Sequence, residues 1–340
     1  MTTKSAQLSP AVSRGGGTVT RRRFLKIVAF GGLAAGFGAA AVRRLAPTTA
    51  RVSRVLMGTV VNLAIVSDDE RRAAAALAET FAEMERLIAQ FDHRRPESTL
   101  GRLNASGRVS GAPVEFVEVL SHALALSART EGAFDVSVKP VLDLYRDGQT
   151  AADHLRELVD YRQIVINGDE VRLSRPGMAL TLDGLAKGRV VDGAVRVLRA
   201  LGFERVLVEA GGDLFASRTG ADAQPWRIGV RDPRGWPEDI AALVRVADRA
   251  AATSGDYLNA FTADRTLHHI IDPRTLRSPA ELASATALAP TALAADALST
   301  ALLVLGVERG LALAEAMPGI EALLISKAGR RFATPGFPAA

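Results

Sequence analysis

Between residues 69 and 91 apolar side chains return every three or four positions (Leu77, Phe81, Met84, Leu87, Ile88) on a background of Ala, Glu and Arg. That spacing predicts a helix with one buried face. The same period recurs over residues 114–130, stopped before Gly132, and over residues 188–201, with Gly202 as the end signal. Residues 291–316 are apolar nearly all round, so they predict a long helix buried on every side. Strands are predicted where β-branched and apolar residues run together: residues 55–66, 203–209, 226–230 and 240–246. Residues 163–180 alternate as a hairpin around Asn167-Gly168, a type I′ turn signal. Residues 321–326 and 330–333 close the chain as a second hairpin. Residues 43–54 read as a linker, "FDHRRPESTLGRLNASG" as a loop with a short helix, and "GAFDVSVKPVLDLYR" as an irregular turn and short segment.

Strands and helices alternate without a regular βαβ period and without an internal repeat. The expected fold class is α/β, with mixed, largely antiparallel sheets packed with helices. Residues 51–340 form one domain in this reading, with room for two lobes. At 48% hydrophobic and 23% charged residues, the composition is that of a folded globular chain. Cysteine is absent, which excludes disulfides, thiolate metal sites and cysteine nucleophiles.

The net charge of +5 changes meaning once it is located. Residues 1–50 hold eight Lys and Arg and no acid; removing them leaves 34 basic against 37 acidic residues, a body at −3. The basic excess therefore belongs to a leader and is no argument for nucleic-acid binding. Within it, Thr20-Arg21-Arg22-Arg23-Phe24-Leu25-Lys26 has the form of a twin-arginine export signal, followed by a Gly- and Ala-rich apolar segment over residues 27–42. Sixteen residues fall short of the ~20 that span a bilayer comfortably. Export to the periplasm is expected, with cleavage near residues 39–41 or retention of the segment at the inner membrane.

Four stretches could carry chemistry. In "TLDGLAKGRVVD" Lys187 and Gly188 open a helix, where free N–H groups favour an anion, and Gly184 permits close backbone approach; a turn with a solvated lysine is the plain alternative. The stretch lacks both the Walker and the dinucleotide glycine patterns. In "ADALSTALLVLG" Asp296, Ser299 and Thr300 share one helix face inside apolar surroundings. They form either a corner for a hard cation or a helix-start acid with hydroxyls bonded back to the helix. In "ATSGDY" residues 253–256 read as a polar turn after a strand, and "HHIIDP" offers His269, with Asp272 after it; a histidine before an apolar pair is more often structural than catalytic. A Ser254–His269–Asp triad lacks the nucleophile elbow that would support it. In "GAFDVSVKP" a short extended piece carries Asp135.

Taken in order with Met57-Gly58-Thr59, "ESTLGRLN", "VEAGGDL" and "WRIGVRDP", these stretches resemble the ApbE-type flavin transferases over residues 52–335. The resemblance implies an ApbE/T-fold-like architecture and transfer of the FMN half of FAD to a threonine of an acceptor protein, with release of AMP. It implies Mg²⁺ or Mn²⁺ as cofactor. Gly184 would offer a backbone oxygen to the metal, Asp296 and Thr300 their side chains, and Ser299 stands where some members carry a further metal-binding aspartate. Met57, Ala133, Phe134, Asp135, Lys187, Gly211, Gly212, Asp213, Ser254, Gly255 and Ile271 would line the FAD site. His269, near Asp272, matches the family histidine linked to catalysis. Acceptors in the family carry a Ser/Thr-Gly-Ala-Thr type motif, in membrane redox subunits or periplasmic flavoproteins.

This chain departs from the family pattern at Thr181, where an aspartate is usual, and at His93 or Arg94, where an aromatic residue is usual. Leu276 replaces the glycine of "DPRTG". A lipoprotein cysteine is absent as well. Two other readings use the same residues: an FAD pyrophosphatase giving FMN and AMP, and a non-catalytic periplasmic FAD-binding protein. The sequence names neither the acceptor nor an oligomeric state.

Overall fold

The computed structural model describes residues 48–150, 153–218, 224–236 and 238–338; the twin-arginine segment, the apolar run after it and the cleavage position lie outside the described residues. β1 (Thr48–Leu56) and β2 (Thr59–Ser67) form a hairpin in which Leu56 faces Thr59. Its turn residues, Met57 and Gly58, have φ of 51° and 71°, the signs of a type I′ turn. Two expectations change here. Most of the expected linker is strand, and the run 55–66 is broken by the turn. β1 is an edge strand exposed along most of its length, so it offers no alternation to read.

α1 (Glu70–Phe91) starts at Asp69, whose side chain accepts from the Arg72 N–H, and α2 (Thr99–Ser106) starts at Ser98 in the same way. β3 (Arg108–Val109) and α3 (Val114–Arg129) follow. Asp135 is extended, but Val136–Val138 turn as a 3₁₀ helix that runs into α4 (Lys139–Arg146), where only an irregular segment was expected. β4 (Ile164–Asn167) and β5 (Glu170–Leu173) make the expected hairpin with a different turn. Asn167 pairs with Glu170, so Gly168 and Asp169 are the turn residues, and of these Gly168 alone has positive φ, the type II′ sign pattern.

α5 (Ala186–Ala200) leads to β6 (Val206–Ala210) and β7 (Asp213–Ala216), then to the ribbon β8 (Trp226–Arg231) and β9 (Ile240–Val246). β10 (Arg249–Gly255), β11 (Leu282–Ala289), α6 (Ala292–Glu315), β12 (Glu321–Ser326) and β13 (Arg331–Ala333) complete the chain. β10 takes in Thr253, Ser254 and Gly255, which are strand rather than turn. The main sheet runs β1-β2-β6-β7-β10-β11-β12-β13 with every neighbouring pair antiparallel, and β3-β5-β4 form a small second sheet. The α/β class with largely antiparallel sheets packed by helices holds.

Three layers result. α5 and α6 pack on one face of the main sheet, with α1 against α5. Val61, Leu63 and Ile65 of β2 meet Phe81 and Met84 of α1, Val190 and Val191 of α5, and Leu298 and Leu302 of α6 in one core. Each such side chain contributes ~1.5–3 kcal/mol by leaving water. The β8–β9 ribbon covers the other face through Val244 and Val246, which meet Leu207, Leu214 and Leu288. α6 is long and apolar enough to cross a bilayer, yet it breaks at Gly306 (φ 80°), and its first half is buried as expected while most of its second half is not.

A third cluster joins Val141, Leu142 and Tyr145 of α4 to Ile271 and Leu276. Leu276 sits at φ 59°, where a side chain costs ~1–2 kcal/mol. It is 3% exposed and its carbonyl accepts from the Tyr145 hydroxyl at 2.7 Å, so burial offsets the strain where glycine would have none.

Candidate active site

The helix layer and the sheet's end enclose a cleft of about 400 Å³, a volume suited to an organic ligand. Its floor is the turn over residues 180–188. Asn104 pins this turn at both backbone groups of Leu180, and the Thr181 N–H donates to Val136 O at 2.8 Å. Thr181 then turns its hydroxyl to the Asp183 N–H at 3.2 Å. α5 begins where α6 begins. The Asp192 carboxylate of α5 accepts from the N–H groups of Ala292 and Leu293 at 2.8 and 2.9 Å, capping α6 from outside. A β-carbon on Gly188 would lie 2.2 Å from Ala292 O, so this crossing needs glycine. The crossing sets Asp296 against α5, and its Oδ2 accepts from the Gly188 N–H at 3.0 Å.

Lys187 lies in the middle. Its Nζ stands 2.9 Å from Asp213 Oδ2 and 3.5 Å from Asp296 Oδ1, and it donates to Asp183 O at 3.3 Å. Both acids are buried. Burial opposes the lysine's charge, but Asp213 and Asp296 outweigh it and raise its pKa above the ordinary range. Burial, then repulsion from Asp296, push the Asp213 carboxyl up to about 7 against the pull of Lys187. Burial also raises the Asp296 carboxyl, opposed by Lys187 and the Gly188 N–H. Two buried carboxylates share one ammonium, so the cluster carries an uncompensated negative charge when both ionise.

β10 brings hydroxyls to the same place. Ser254 Oγ lies 2.9 Å from Ser299 Oγ and 3.1 Å from Thr300 Oγ1. Ser299 also donates to Asp296 O and is fully buried away from the cleft, while Thr300 lines it. Gly184 abuts Thr300, since a β-carbon there would be 3.2 Å from Oγ1. Asp296, Thr300 and the Gly184 backbone thus converge. Among the described residues no three His, Cys, Asp or Glu side chains cluster in metal-binding fashion. The donors fit a hard cation that takes few protein oxygens and completes its shell with phosphate and water.

His269 lines the cleft with Nδ1 buried and without a hydrogen-bond partner. Burial, helped by His268 and Lys187, lowers its pKa to about 4 from 6.5, so the ring is neutral. Asp272 is different. Its carboxylate is held by the Arg274 guanidinium at 2.8 Å on each oxygen, it caps the Arg274 N–H, and it lies outside the cleft lining. It organises the turn after His269 and does not touch the site. Asp135 lines the cleft, but both oxygens are engaged. Oδ1 accepts from the Ser137 N–H and hydroxyl at 2.9 and 2.7 Å, and Oδ2 from the Tyr161 N–H at 2.8 Å.

The structure gathers Met57, Ala133, Phe134, Asp135, Gly184, Lys187, Gly211, Asp213, Ser254, Gly255, His269, Ile271, Asp296 and Thr300 around one cleft. It leaves out Asp272, Ser299 and Gly212. Gly211 and Gly212 are the turn between β6 and β7, at φ 64° and 103°. Gly211 faces the cleft and abuts Thr59, whereas Gly212 faces open space with its N–H held by Glu209 at 2.7 Å. Sequence reasoning passed over Asp183, an acid four residues before Lys187, and raised Arg94 only as a departure; both line the cleft. A larger hollow of about 670 Å³ lies beyond Asp135, among Arg162, Arg175 and Arg274. These pair with Asp160, Glu157 and Asp272, so it lacks the unbalanced charge of the cleft.

The family model described as the ApbE family matches residues 57–324. The chain is 31% identical over 278 residues to the FAD:protein FMN transferase of Vibrio cholerae serotype O1, covering 76% of this chain and 82% of that protein. It is 32% identical over 305 residues to that of Treponema pallidum, covering 80% and 83%. The solved flavin transferase ApbE from Vibrio cholerae superposes with a TM-score of 0.74 at 29% identity, over 86% of this chain and 98% of that one.

Proposed function

The chain belongs to the ApbE family, and we propose that it works as the FAD:protein FMN transferase for which its relatives are named, with Mg²⁺ or Mn²⁺ as cofactor and a threonine hydroxyl of an acceptor protein as the attacking group. The observation that carries the reading is Lys187 shared by the buried acids Asp213 and Asp296, beside a neutral His269 whose Nδ1 has no hydrogen-bond partner. Asp296, Thr300 and the Gly184 carbonyl would hold the metal, which supplies positive charge to the diphosphate of FAD. Lys187 keeps Asp213 and Asp296 in place and limits their repulsion of the phosphates. His269 accepts the hydroxyl proton at its free nitrogen as the oxygen bonds to the flavin-side phosphorus. The bond from that phosphorus to the bridging oxygen breaks, and AMP leaves with the electron pair. The Thr20–Lys26 motif supports export by the twin-arginine route to the periplasm, where acceptors with a Ser/Thr-Gly-Ala-Thr type motif would be met.

The test is intact mass of an acceptor domain carrying that motif after incubation with the purified chain, FAD and Mg²⁺. A gain of one FMN on threonine, lost with EDTA and with Asp296→Ala, is expected. FMN and AMP in solution without a mass gain would replace the transferase reading with a pyrophosphatase. Bound FAD with neither product would leave a binding protein.

A further inference from the structure

The cleft is lined by five acids (Asp92, Asp135, Asp183, Asp213 and Asp296) and, among the described residues, by two permanently charged cations, Lys187 and Arg94. A dinucleotide brings two more negative charges in its diphosphate. Lys187 is committed to Asp213 and Asp296. Arg94 is held more loosely: its side chain is 56% exposed, with Nη2 3.1 Å from Asp183 Oδ2 and Nη1 3.5 Å from Asp92 Oδ1.

The backbone beneath it is fixed. The Arg94 N–H donates to Asp92 Oδ1 at 3.0 Å, the Arg95 N–H to Asp92 O at 3.1 Å, and a β-carbon on Gly101 would lie 2.1 Å from Arg95 O. The side chain can therefore turn while its anchor stays. Asp183 also has a second partner, since His93 Nε2 lies 3.4 Å from the same Oδ2 and His93 is nearly enclosed. The acid keeps a hydrogen bond if the guanidinium leaves.

We propose that Arg94 is the residue that grips the diphosphate of the dinucleotide, and that Asp183, which pairs with this fork, gives it up to the ligand. The inference rests on the FAD reading above. A guanidinium presents parallel N–H groups that match phosphate oxygens as well as carboxylate oxygens, so the exchange keeps its hydrogen bonds. Asp183 is then a competitor of the ligand.

This gives the two partners opposite signs, which a merely structural salt bridge would not. FAD binding to the purified full-length chain is measured by flavin fluorescence, with Mg²⁺ and without acceptor. Arg94→Ala should weaken binding by about 10–100-fold, the range of a charge-assisted pair. Arg94→Lys, which keeps the charge and loses the fork, should recover part of that loss. Asp183→Asn should tighten binding severalfold, and should tighten it clearly less in the Arg94→Ala background, where only the lost repulsion remains. Unchanged binding in Arg94→Ala, or weakening in Asp183→Asn like that in Arg94→Ala, would overturn the proposal. A wild type that binds no FAD would remove the functional reading, and the proposal with it.

Discussion

Replacing Asp213 by asparagine measures the unbalanced charge in the cleft directly. Asp213 and Asp296 share Lys187 at 2.9 and 3.5 Å, and both are buried. Burial and then Asp296 carry the Asp213 carboxyl from 3.8 to about 7. Over that range the folded chain keeps a proton that the unfolded chain has released. The folded state then binds more protons, so the contribution of Asp213 to stability is greatest below pH ~4 and is lost as pH rises towards ~7. The whole span is worth roughly 4 kcal/mol at about 1.36 kcal/mol per pKa unit. That is a large part of an ordinary stability of about 5–15 kcal/mol. The two acids titrate as a pair, so the step belongs to the cluster.

Asparagine keeps the shape, cannot ionise, and leaves Lys187 and Asp296 as a neutral pair. The assay is urea unfolding in EDTA at pH 4 and pH 8, which subtracts the titration of every other group. The two proteins should be similar at pH 4, and the variant should be the more stable at pH 8 by up to about 4 kcal/mol. If the proposed metal site is correct, Mg²⁺ should raise the wild type at pH 8 and raise the variant less, since a cation bound to the folded state would offset that charge. Parallel stability curves for the two proteins would refute the reasoning, since they would mean that Asp213 ionises in place without cost.

Two other perturbations separate chemistry from architecture. His269→Gln should lower kcat for transfer by ~10²–10⁴-fold with little change in FAD affinity, and the wild-type rate should rise on the acid side near pH 4, where the buried ring becomes neutral, instead of near 6.5; a limb at 6.5 would remove His269 as the base. Gly188→Ala drives a β-carbon to 2.2 Å from Ala292 O and 2.5 Å from its carbonyl carbon, backbone atoms that cannot turn aside, so it should cost ~1–3 kcal/mol or more in urea unfolding and lower metal-dependent transfer by displacing Asp296.

The sequence by itself determined the elements whose signal is local. α1, α3 and α5 show a buried stripe at helical spacing, and α6 is apolar over most of its length, so their ends agree with expectation to within two residues. The order of motifs also placed the chain in its family, because residues that bind one ligand stay at characteristic spacings. Strands made of small or exposed residues were not legible. β11, Leu-Ala-Ser-Ala-Thr-Ala-Leu-Ala, is buried throughout, and β1 is exposed along most of its length, so neither alternates. Ser254 and Gly255 looked like a turn because they are polar and small; pairing with β11 holds them in strand, and Ser299 and Thr300 satisfy the Ser254 hydroxyl.

What only the tertiary structure decided is which way each site residue faces and what charge it carries. Lys187 lies 26 residues from Asp213 and 109 from Asp296 along the chain, and the crossing of α5 over α6 beside the start of β7 brings them within 3.5 Å. Asp272 and Asp296 are equivalent in sequence, each an acid near an apolar run. Arg274 neutralises one, while burial raises the carboxyl of the other, which has only a share of Lys187. Spacing along a chain specifies a face of one element. Desolvation and pairing depend on which other elements cover that face, and these come from distant parts of the chain.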